Sequence, residues 1–506
     1  MARISRRKAL SDALVVGFAI FAIYFGAGNL IFPPYIGAST GPDWPIGLLG
    51  LTLAGILLPV LAVTAVANSG GTFKSLAQPI APWFYIVYNI LVMIGVGTLI
   101  TIPRTSAVAY EIGVRTLVPA ADNMVGRFIA VVVFFAIAVF VAFDQGAIAD
   151  RIGKVLTPLL LAILLTLVTL AVVRPVGEPV PTGLENPFYM AFTEAYQMGD
   201  ILTGLLCATI FVSAMAQKGY ASPKRNIVMV LAASGVGALA LFLVYGGLEY
   251  LGASGNSHFP ADTERTALLV GLIRLLSGSI GTYALAVAVA LACLTTAIGL
   301  MTVVAGFVED GTKGKVPYRV ALIAVAVVGV FQAMGGVERI VAIAGPIFMA
   351  MYPVSILLVI LGLSRRLIPN DGVWKGSALL ALIVSLYESA AVIADMTGGT
   401  LPSWLVSIYQ AIPLASAGFG WIVPALVGAI VGGVLWKVMR WPSICKEQDA
   451  EFDRRSVAEE EYAERFAEGG LPGVRPERRP ESPSTTDAPT PETGDGQRPA
   501  DRAPKV

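Results

Sequence analysis

The sequence predicts an all-α integral membrane protein of about twelve transmembrane helices. Of its 506 residues, 56% are hydrophobic and only 14% are charged, whereas a typical soluble domain carries about 25% charged residues. So few charges cannot cover a water-exposed surface, so lipid must cover much of this one. Peptide groups inside lipid need hydrogen bonds within the protein, which favours helices.

Long apolar runs give the individual helices, because a membrane-crossing helix needs about 20 mainly apolar residues. Gly, Pro or charged residues separate the runs, and the ten-residue alternation of a membrane β-barrel is absent. Twelve runs lie near 12–36, 45–68, 82–108, 125–143, 152–173, 188–216, 226–251, 277–308, 318–333, 339–363, 375–396 and 406–439.

Lys and Arg residues predict the orientation. If the N-terminus is cytoplasmic and the helices alternate, sixteen Lys and Arg residues before the last helix fall on the cytoplasmic side and seven on the other. This bias agrees with the positive-inside rule and supports an even number of helices. We therefore expect both termini in the cytoplasm.

Composition divides the chain into a transmembrane domain, 1–445, and a cytoplasmic tail, 446–506. The tail is charged and Pro-rich, so it should be disordered, although 446–468 could form a short charged helix. The net charge of +1 gives no reason to expect a nucleic-acid partner. Three cysteines without CxxC spacing, one histidine and the lack of a catalytic motif predict no cofactor and no enzyme activity.

The first apolar run is interrupted. It contains Phe25-Gly-Ala-Gly-Asn-Leu-Ile-Phe-Pro-Pro34, in which Gly26 and Gly28 weaken a helix and Asn29 adds a polar side chain at membrane depth. The two prolines lack amide hydrogens and disfavour helix upstream. These residues predict a break part-way across the membrane.

Such a break exposes backbone groups that can bind ions. Freed amides at a half-helix N-terminus attract an anionic group, and freed carbonyls hold a cation, as in secondary transporters. The carboxylate of an amino acid and Na⁺ suit these two ends. The alternative is that the glycines form a packing face between helices.

The same segment, FGAGNLIFPPYIG, resembles the first-helix signature of the branched-chain amino acid:cation symporters (the BrnQ type). Three other stretches are similar to that family, and the resemblance spans about residues 12–440. They are IPRTSAVAYEIG from Ile102 to Gly113, CLTTAIGL from Cys293 to Leu300, and MYPVSILLVILGL from Met351 to Leu363.

The resemblance implies a LeuT-like fold in a bacterial plasma (inner) membrane, with two inverted repeats of five helices plus two added helices. Helix six should then also be interrupted, near Tyr196–Gly204. The implied activity is Na⁺-coupled import of Leu, Ile and Val by alternating access. Transfer of the LeuT-like cation site to this chain predicts Na⁺ ligands at the carbonyls of Ala22, Phe25 and Ala292 and the hydroxyls of Thr295 and Thr296.

A substrate site is predicted where the two interrupted helices meet. Backbone amides of helix one would bind the carboxylate, freed carbonyls would bind the ammonium, and aromatic side chains would line an apolar pocket. Core packing is the alternative role for the aromatic residues. The predicted site comprises Gly26, Ala27, Gly28, Asn29, Tyr196, Asp200 and Phe211.

Several roles stay open at this stage. Asp200 either caps the second half of helix six or binds the substrate amine or a proton. Arg104 either pairs with Glu111, gates the outer vestibule or extends to the membrane interface. Na⁺ is the expected coupling ion, and a proton, carried by Asp200 or Glu388, is the alternative. Transport of another small neutral amino acid or solute by the same fold also stays open.

Overall fold

The apolar runs of the sequence fold into helices that pack side by side. The computed structural model describes residues 6–143, 161–220 and 222–454, and those ranges contain helices and no strand. The all-helical class predicted from the sequence is therefore confirmed.

The first half of the chain contains α1 to α10. Within the described residues, π-helical stretches adjoin these helices at Leu53–Leu57, Leu91–Thr101 and Ala109–Val114. The α-helices are α1 (Arg6–Tyr24), α2 (Ala27–Thr40), α3 (Trp44–Thr52), α4 (Leu58–Asn68), α5 (Phe73–Ala77), α6 (Phe84–Ile90), α7 (Ile102–Val108), α8 (Arg115–Leu117), α9 (Met124–Ala142) and α10 (Leu161–Val173).

The second half contains α11 to α20. A 3₁₀ turn at Ala195–Met198 follows α11, and Gly278 kinks α14. The helices are α11 (Pro187–Glu194), α12 (Asp200–Gln217), α13 (Pro223–Gly255), α14 (Arg265–Gly311), α15 (Tyr318–Ala333), α16 (Gly336–Leu363), α17 (Asp371–Thr397), α18 (Ser403–Gln410), α19 (Ile422–Val438) and α20 (444–454).

All twelve predicted runs contain helix within the described ranges. Eight helical segments there are long and apolar enough to cross a membrane, and α10, α15 and α19 are shorter apolar helices. The last run, 406–439, is not one helix as predicted: it divides into α18 and α19. Backbone in the left-handed region at Leu414 and Gly418, with φ of 69° and 81°, separates them.

Glycines allow α2 to lie directly against α13. A Cβ atom on Gly37 would lie 1.8 Å from the Glu249 carbonyl oxygen, and one on Gly252 would lie 1.9 Å from the Pro34 carbonyl oxygen. Small residues let membrane helices approach to backbone contact. The C-terminal part of α2 is therefore held closely against α13.

The start of the predicted tail is ordered against the transmembrane domain. Asp371 accepts hydrogen bonds from the amides of Ile444 and Cys445, at 2.8 and 3.0 Å, and so caps α20. The Arg365 guanidinium pairs with Asp449 at 2.6 Å. Helix α20 covers the first part of the short helix expected at 446–468, and the remaining tail, 455–506, lies outside the described residues.

Candidate functional site

Helix one is interrupted where the sequence predicts. Helix α1 ends at Tyr24, α2 begins at Ala27, and Gly26 between them is extended, with φ of −113° and ψ of −171°. The Gly26 amide donates to the Asn29 Oδ1 atom at 3.1 Å instead of to the Ala22 carbonyl. The Ala22 carbonyl therefore lacks the partner that a continuous helix would supply.

The amides at the start of α2 differ in their availability. The Asn29 amide donates to the Gly26 carbonyl at 3.2 Å, so the structure removes it from the donors predicted for a carboxylate. Within the described part of the chain, the amides of Ala27 and Gly28 have no hydrogen-bond acceptor. These two amides are the available donors at a positive helix end.

The two prolines lie inside α2 and do not mark its boundary. The break is about two turns earlier, so the expectation that prolines disfavour helix upstream is only partly right. Because proline lacks an amide hydrogen, Pro33 and Pro34 leave the carbonyls of Asn29 and Leu30 without helical donors. Further backbone acceptors are thus freed next to the break.

Helix six is also interrupted, within the predicted segment. The 3₁₀ turn after α11 ends at Met198, and Gly199 has φ of 78°, in the left-handed region that favours glycine. Helix α12 then begins at Asp200. The interruption places the Asp200 carboxylate at membrane depth, at the N-terminus of α12.

The two breaks are joined by one hydrogen-bonded cluster. The Asn29 Nδ2 atom donates to the Asp200 Oδ2 atom at 2.7 Å and also contacts the Tyr245 hydroxyl. Tyr245 comes from α13 and lies 3.4 Å from the same carboxylate oxygen. The Asp200 carboxylate thus accepts from side chains of helix one and α13, and within the described residues no amide of α12 donates to it.

Arg104 is buried at this cluster and not near a membrane interface. Its side chain is 2% exposed, and one guanidinium nitrogen donates to the Gln197 carbonyl. Another, Nη2, lies 2.9 Å from where a Cβ atom of Gly28 would be. Arg104 therefore does not extend to the membrane interface, because helix three, Phe84–Leu117, continues well beyond it. Gating of the outer vestibule by Arg104 stays a prediction.

Glu111 has other partners. Its carboxylate accepts hydrogen bonds from the Thr266 hydroxyl at 2.7 Å and the Val337 amide at 3.1 Å, and Arg127 lies 3.8 Å away. Pairing between Glu111 and Arg104 is therefore not found. Arg104 faces the helix breaks instead.

The two aromatic residues of the predicted substrate site, Tyr196 and Phe211, lie in different places in the structure. Tyr196 stacks on Tyr352, with ring centroids 4.0 Å apart, just before the break in helix six. Phe211 is buried about 16 Å along α12 from Asp200, at 1.5 Å per residue. The structure brings Tyr196 to the site and leaves Phe211 in the packing of α12.

A small cavity lies beside Tyr196. It encloses about 170 Å³, and its wall combines apolar side chains of α16 with the last turn of α11. The lining residues are Thr193, Glu194, Tyr196, Gln197, Gly345, Phe348, Met349 and Val392.

The threonine pair on α14 is partly buried. The Thr295 hydroxyl donates to the Ala292 carbonyl at 2.9 Å, which is a hydrogen bond back to its own helix. A hydroxyl that donates its proton keeps lone pairs for a cation. No hydrogen bond within the described part joins Thr295 or Thr296 to helix one, so the Na⁺ ligand set remains a prediction.

Glu249 is a buried acid that the sequence reasoning did not single out. Its side chain is 0% exposed, and neither carboxyl oxygen has a hydrogen-bond partner in the described part of the chain. It lies one turn beyond Tyr245 on α13, beside Gly47. A single acid within the apolar run 226–251 was the available signal. Glu388, the other candidate proton carrier, accepts a hydrogen bond from Tyr409 at 2.8 Å, and its role stays a prediction.

Side chains tie the helices together at both ends of the bundle. On the face where α1 begins, called the N face below, Asp12 pairs with Lys218 at 3.0 Å. On the opposite face, Arg265 pairs with Glu194 at 3.1 Å and with Glu338, and its guanidinium lies 4.0 Å from the Tyr35 ring centroid. Helix one is thus tied to other helices on both sides of its break.

A larger cavity opens on the opposite face, away from the two breaks. It encloses about 480 Å³ between the end of helix three and the start of α14. Arg115 in its wall already pairs with Asp122 at 3.1 Å. Glu111 also lies in the wall, and its carboxylate already accepts hydrogen bonds from Thr266 and Val337.

Comparison with solved structures gives two similar chains. One is Mhp1, a nucleobase-cation-symport-1 family transporter, which is 15% identical, has a TM-score of 0.49, and matches over 87% of this chain and 96% of its own. The other is MhsT, whose structure was solved in complex with L-phenylalanine. MhsT is 15% identical, has a TM-score of 0.49, and matches over 86% of this chain and 99% of its own.

Comparison with known sequences identifies the family. BrnQ of Bacillus subtilis, a branched-chain amino acid permease, is 30% identical over 85% of this chain and 98% of its own length. The branched-chain amino acid transport system 2 carrier protein of Pseudomonas aeruginosa is 30% identical over 85% of this chain and 97% of its own length. Both are transport proteins, so the prediction of a transporter and not an enzyme is confirmed. A family model described as "Branched-chain amino acid transport protein" matches residues 9–439, and the chain belongs to that family.

Proposed function

We propose that this chain imports Leu, Ile and Val together with Na⁺, by alternating access. The observation that carries the proposal is the junction of two interrupted helices through Asn29 and Asp200. Interrupted helices expose backbone dipoles at membrane depth, where substrates and coupling ions bind in secondary transporters. The relatives named as branched-chain amino acid carriers support the choice of substrate.

The site offers each part of a branched-chain amino acid a suitable environment. The free amides of Ala27 and Gly28 attract a carboxylate, and the freed carbonyls next to them attract an ammonium group. Tyr196 and Phe348, in the wall of the 170 Å³ cavity, offer apolar surface to a branched side chain. The binding free energies of Leu, Ile and Val should differ by about 1–3 kcal/mol in such a pocket, so the site should accept all three.

The Na⁺ ligands we propose are neutral oxygens from two helices. They are the carbonyls of Ala22 and Phe25 at the end of α1, and Ala292, Thr295 and Thr296 on α14. Hard cations prefer oxygen ligands, and the C-terminal end of α1 adds a favourable dipole. Thr295→Val should therefore lower the apparent Na⁺ affinity of uptake. Thr302→Val is the matched control, since Thr302 makes the same kind of hydrogen bond on α14, to the Ile298 carbonyl at 2.8 Å.

Coupling to one Na⁺ suffices for strong accumulation. One charge moving through 100 mV releases about 2.3 kcal/mol, and a tenfold Na⁺ gradient adds about 1.4 kcal/mol. The sum corresponds to a roughly 500-fold concentration of a neutral zwitterion. Access would alternate between the N face, which we place in the cytoplasm of a bacterial cell with both termini, and the opposite face.

Proteoliposomes with controlled gradients test the proposal. Uptake of labelled isoleucine should require Na⁺, and unlabelled Leu and Val should compete with it. Uptake that needs no Na⁺ and follows a proton gradient would overturn the choice of ion. Uptake of none of the three amino acids would overturn the proposed substrate.

Proton coupling is the second candidate, and Glu249 is the observation that favours it. A carboxylate charge there would lack any hydrogen bond, so its surroundings favour the neutral acid. If protons drive transport, Glu249→Gln should abolish accumulation driven by a pH gradient and keep exchange of labelled for unlabelled leucine. If Na⁺ drives transport, Glu249→Gln should accumulate leucine like the exposed control Glu264→Gln.

A further inference from the structure

A buried cation and a buried anion lie on either side of the helix-one break. Arg104 is 2% exposed and Asp200 is 3% exposed. Both lie against the start of α2, since the Arg104 Nη2 atom is beside Gly28 and the Asp200 carboxylate binds Asn29. They nevertheless form no direct ion pair within 4.0 Å. A zwitterion carries the two complementary charges that this arrangement lacks.

The Arg104 guanidinium has unused donors. One nitrogen binds the Gln197 carbonyl, whereas Nε is buried with no acceptor in the described part of the chain. The Arg104 guanidinium lies over the Phe32 ring, with its Cζ atom 5.7 Å from the ring centroid. The Phe32 side chain offers the guanidinium no hydrogen-bond acceptor. Guanidinium groups bind carboxylates through two parallel N–H donors, and spare donors are present here.

The position of Arg104 at a helix N-terminus strengthens this argument. Its Nη2 atom lies next to Gly28, beside the free amides of Ala27 and Gly28. These amides form the positive end of α2, where a second positive charge is unfavourable. An anion bound between them would satisfy the guanidinium and both amides.

Asp200 completes the arrangement for the opposite charge. Its Oδ2 atom accepts from Asn29 and Tyr245, whereas Oδ1 accepts no hydrogen bond in the described residues. The carbonyls freed at the end of α1 are further acceptors at the same break. Together they offer acceptors for an ammonium group.

We propose that Arg104 binds the carboxylate of the transported amino acid and that Asp200 binds its ammonium group. The proposal deepens the function proposed above, and rests on it, by assigning the two charges of the substrate to two side chains. The site then selects zwitterions. It binds leucinamide, which lacks the carboxylate, and 4-methyl-2-oxopentanoate, which lacks the ammonium group, more weakly than leucine.

Binding of labelled leucine to the purified protein, with unlabelled analogues as competitors, tests the assignment. The wild type should prefer leucine to both analogues. In Arg104→Gln, leucine should bind roughly 10- to 150-fold more weakly, the range for a lost charged hydrogen bond. Leucinamide should bind as it does to the wild type, because it has no carboxylate to lose. Arg104→Lys should restore part of the leucine affinity.

A merely structural role for Arg104 predicts a different pattern. If the guanidinium only fixes Gln197, Arg104→Gln should weaken leucine and leucinamide alike, and that result would overturn the assignment. Arg115→Gln, on the opposite face, is the control for general loss of charge. If Arg104→Gln does not fold, Asp200→Asn provides the test. Binding of leucine to this variant should weaken while binding of 4-methyl-2-oxopentanoate does not. An equal loss of affinity for both compounds would overturn the proposal.

These outcomes are separable from failure of the proposed function. A wild-type protein that binds no branched-chain amino acid would overturn the function itself. Normal leucine binding by the wild type, together with unchanged binding by Arg104→Gln, would overturn only the role of Arg104.

Discussion

The contact between α2 and α13 allows one substitution to be analysed in detail. In Gly252→Ala, the new Cβ atom would lie 1.9 Å from the Pro34 carbonyl oxygen, and ordinary contact begins near 3.4 Å. The two backbones would have to separate by about 1.5 Å, the difference of those distances. Overpacking of this kind costs about 1–3 kcal/mol. Since α2 carries Ala27 and Gly28, its displacement should also weaken leucine binding.

Thermal unfolding and leucine binding of the purified variants measure the effect. Gly252→Ala should lower both the apparent Tm and the affinity for leucine. Gly235→Ala is the matched control on the same helix, because a Cβ atom there would have nothing within 4 Å. Ala is favoured over Gly in a helix by about 1 kcal/mol, so the control should unfold at an equal or higher temperature. A Gly252→Ala protein as stable and as active as the control would refute the close contact.

Two further substitutions test the N face. Asp12→Asn should weaken the attachment of α1 to Lys218 by about 1 kcal/mol and so speed hydrogen exchange in α1 roughly fivefold. Asp43→Asn, in the exposed 3₁₀ turn Gly41–Asp43, should leave that exchange unchanged. Unchanged exchange in Asp12→Asn would contradict the ion pair. Burial and Asp371 raise the pKa of the Cys445 thiol to about 12, so at pH 8 it should resist maleimide, and Asp371→Ala should lower that pKa and speed labelling of Cys445. Equal labelling rates would contradict the cap on α20.

Local sequence signals predicted the two breaks well. Gly26, Gly28 and Asn29 interrupt an apolar run, and the structure breaks the helix at Phe25 and Gly26. For helix six, the predicted break spanned the nine residues Tyr196–Gly204, and the structure places it at Gly199. A glycine that needs positive φ cannot be distinguished from a packing glycine without its neighbours.

Arg104 and Glu249 show what the sequence could not provide. Helix three was expected to end near residue 108, so Arg104 was assigned to its outer end; π-helical turns and a continuation to Leu117 place it deeper. Glu249 lies in an apolar run whose buried side depends on contact with α2. Which residues face each other across helices is set by tertiary packing, and Phe211 was misplaced for the same reason.

A structure of the protein with leucine bound, determined by electron cryo-microscopy in a lipid nanodisc, tests the central claim most directly. We predict density for the amino acid between the N-terminus of α2 and Asp200, with its carboxylate toward Arg104. A continuous helix through Phe25 and Gly26, or leucine bound only in the 480 Å³ cavity of the opposite face, would contradict the account.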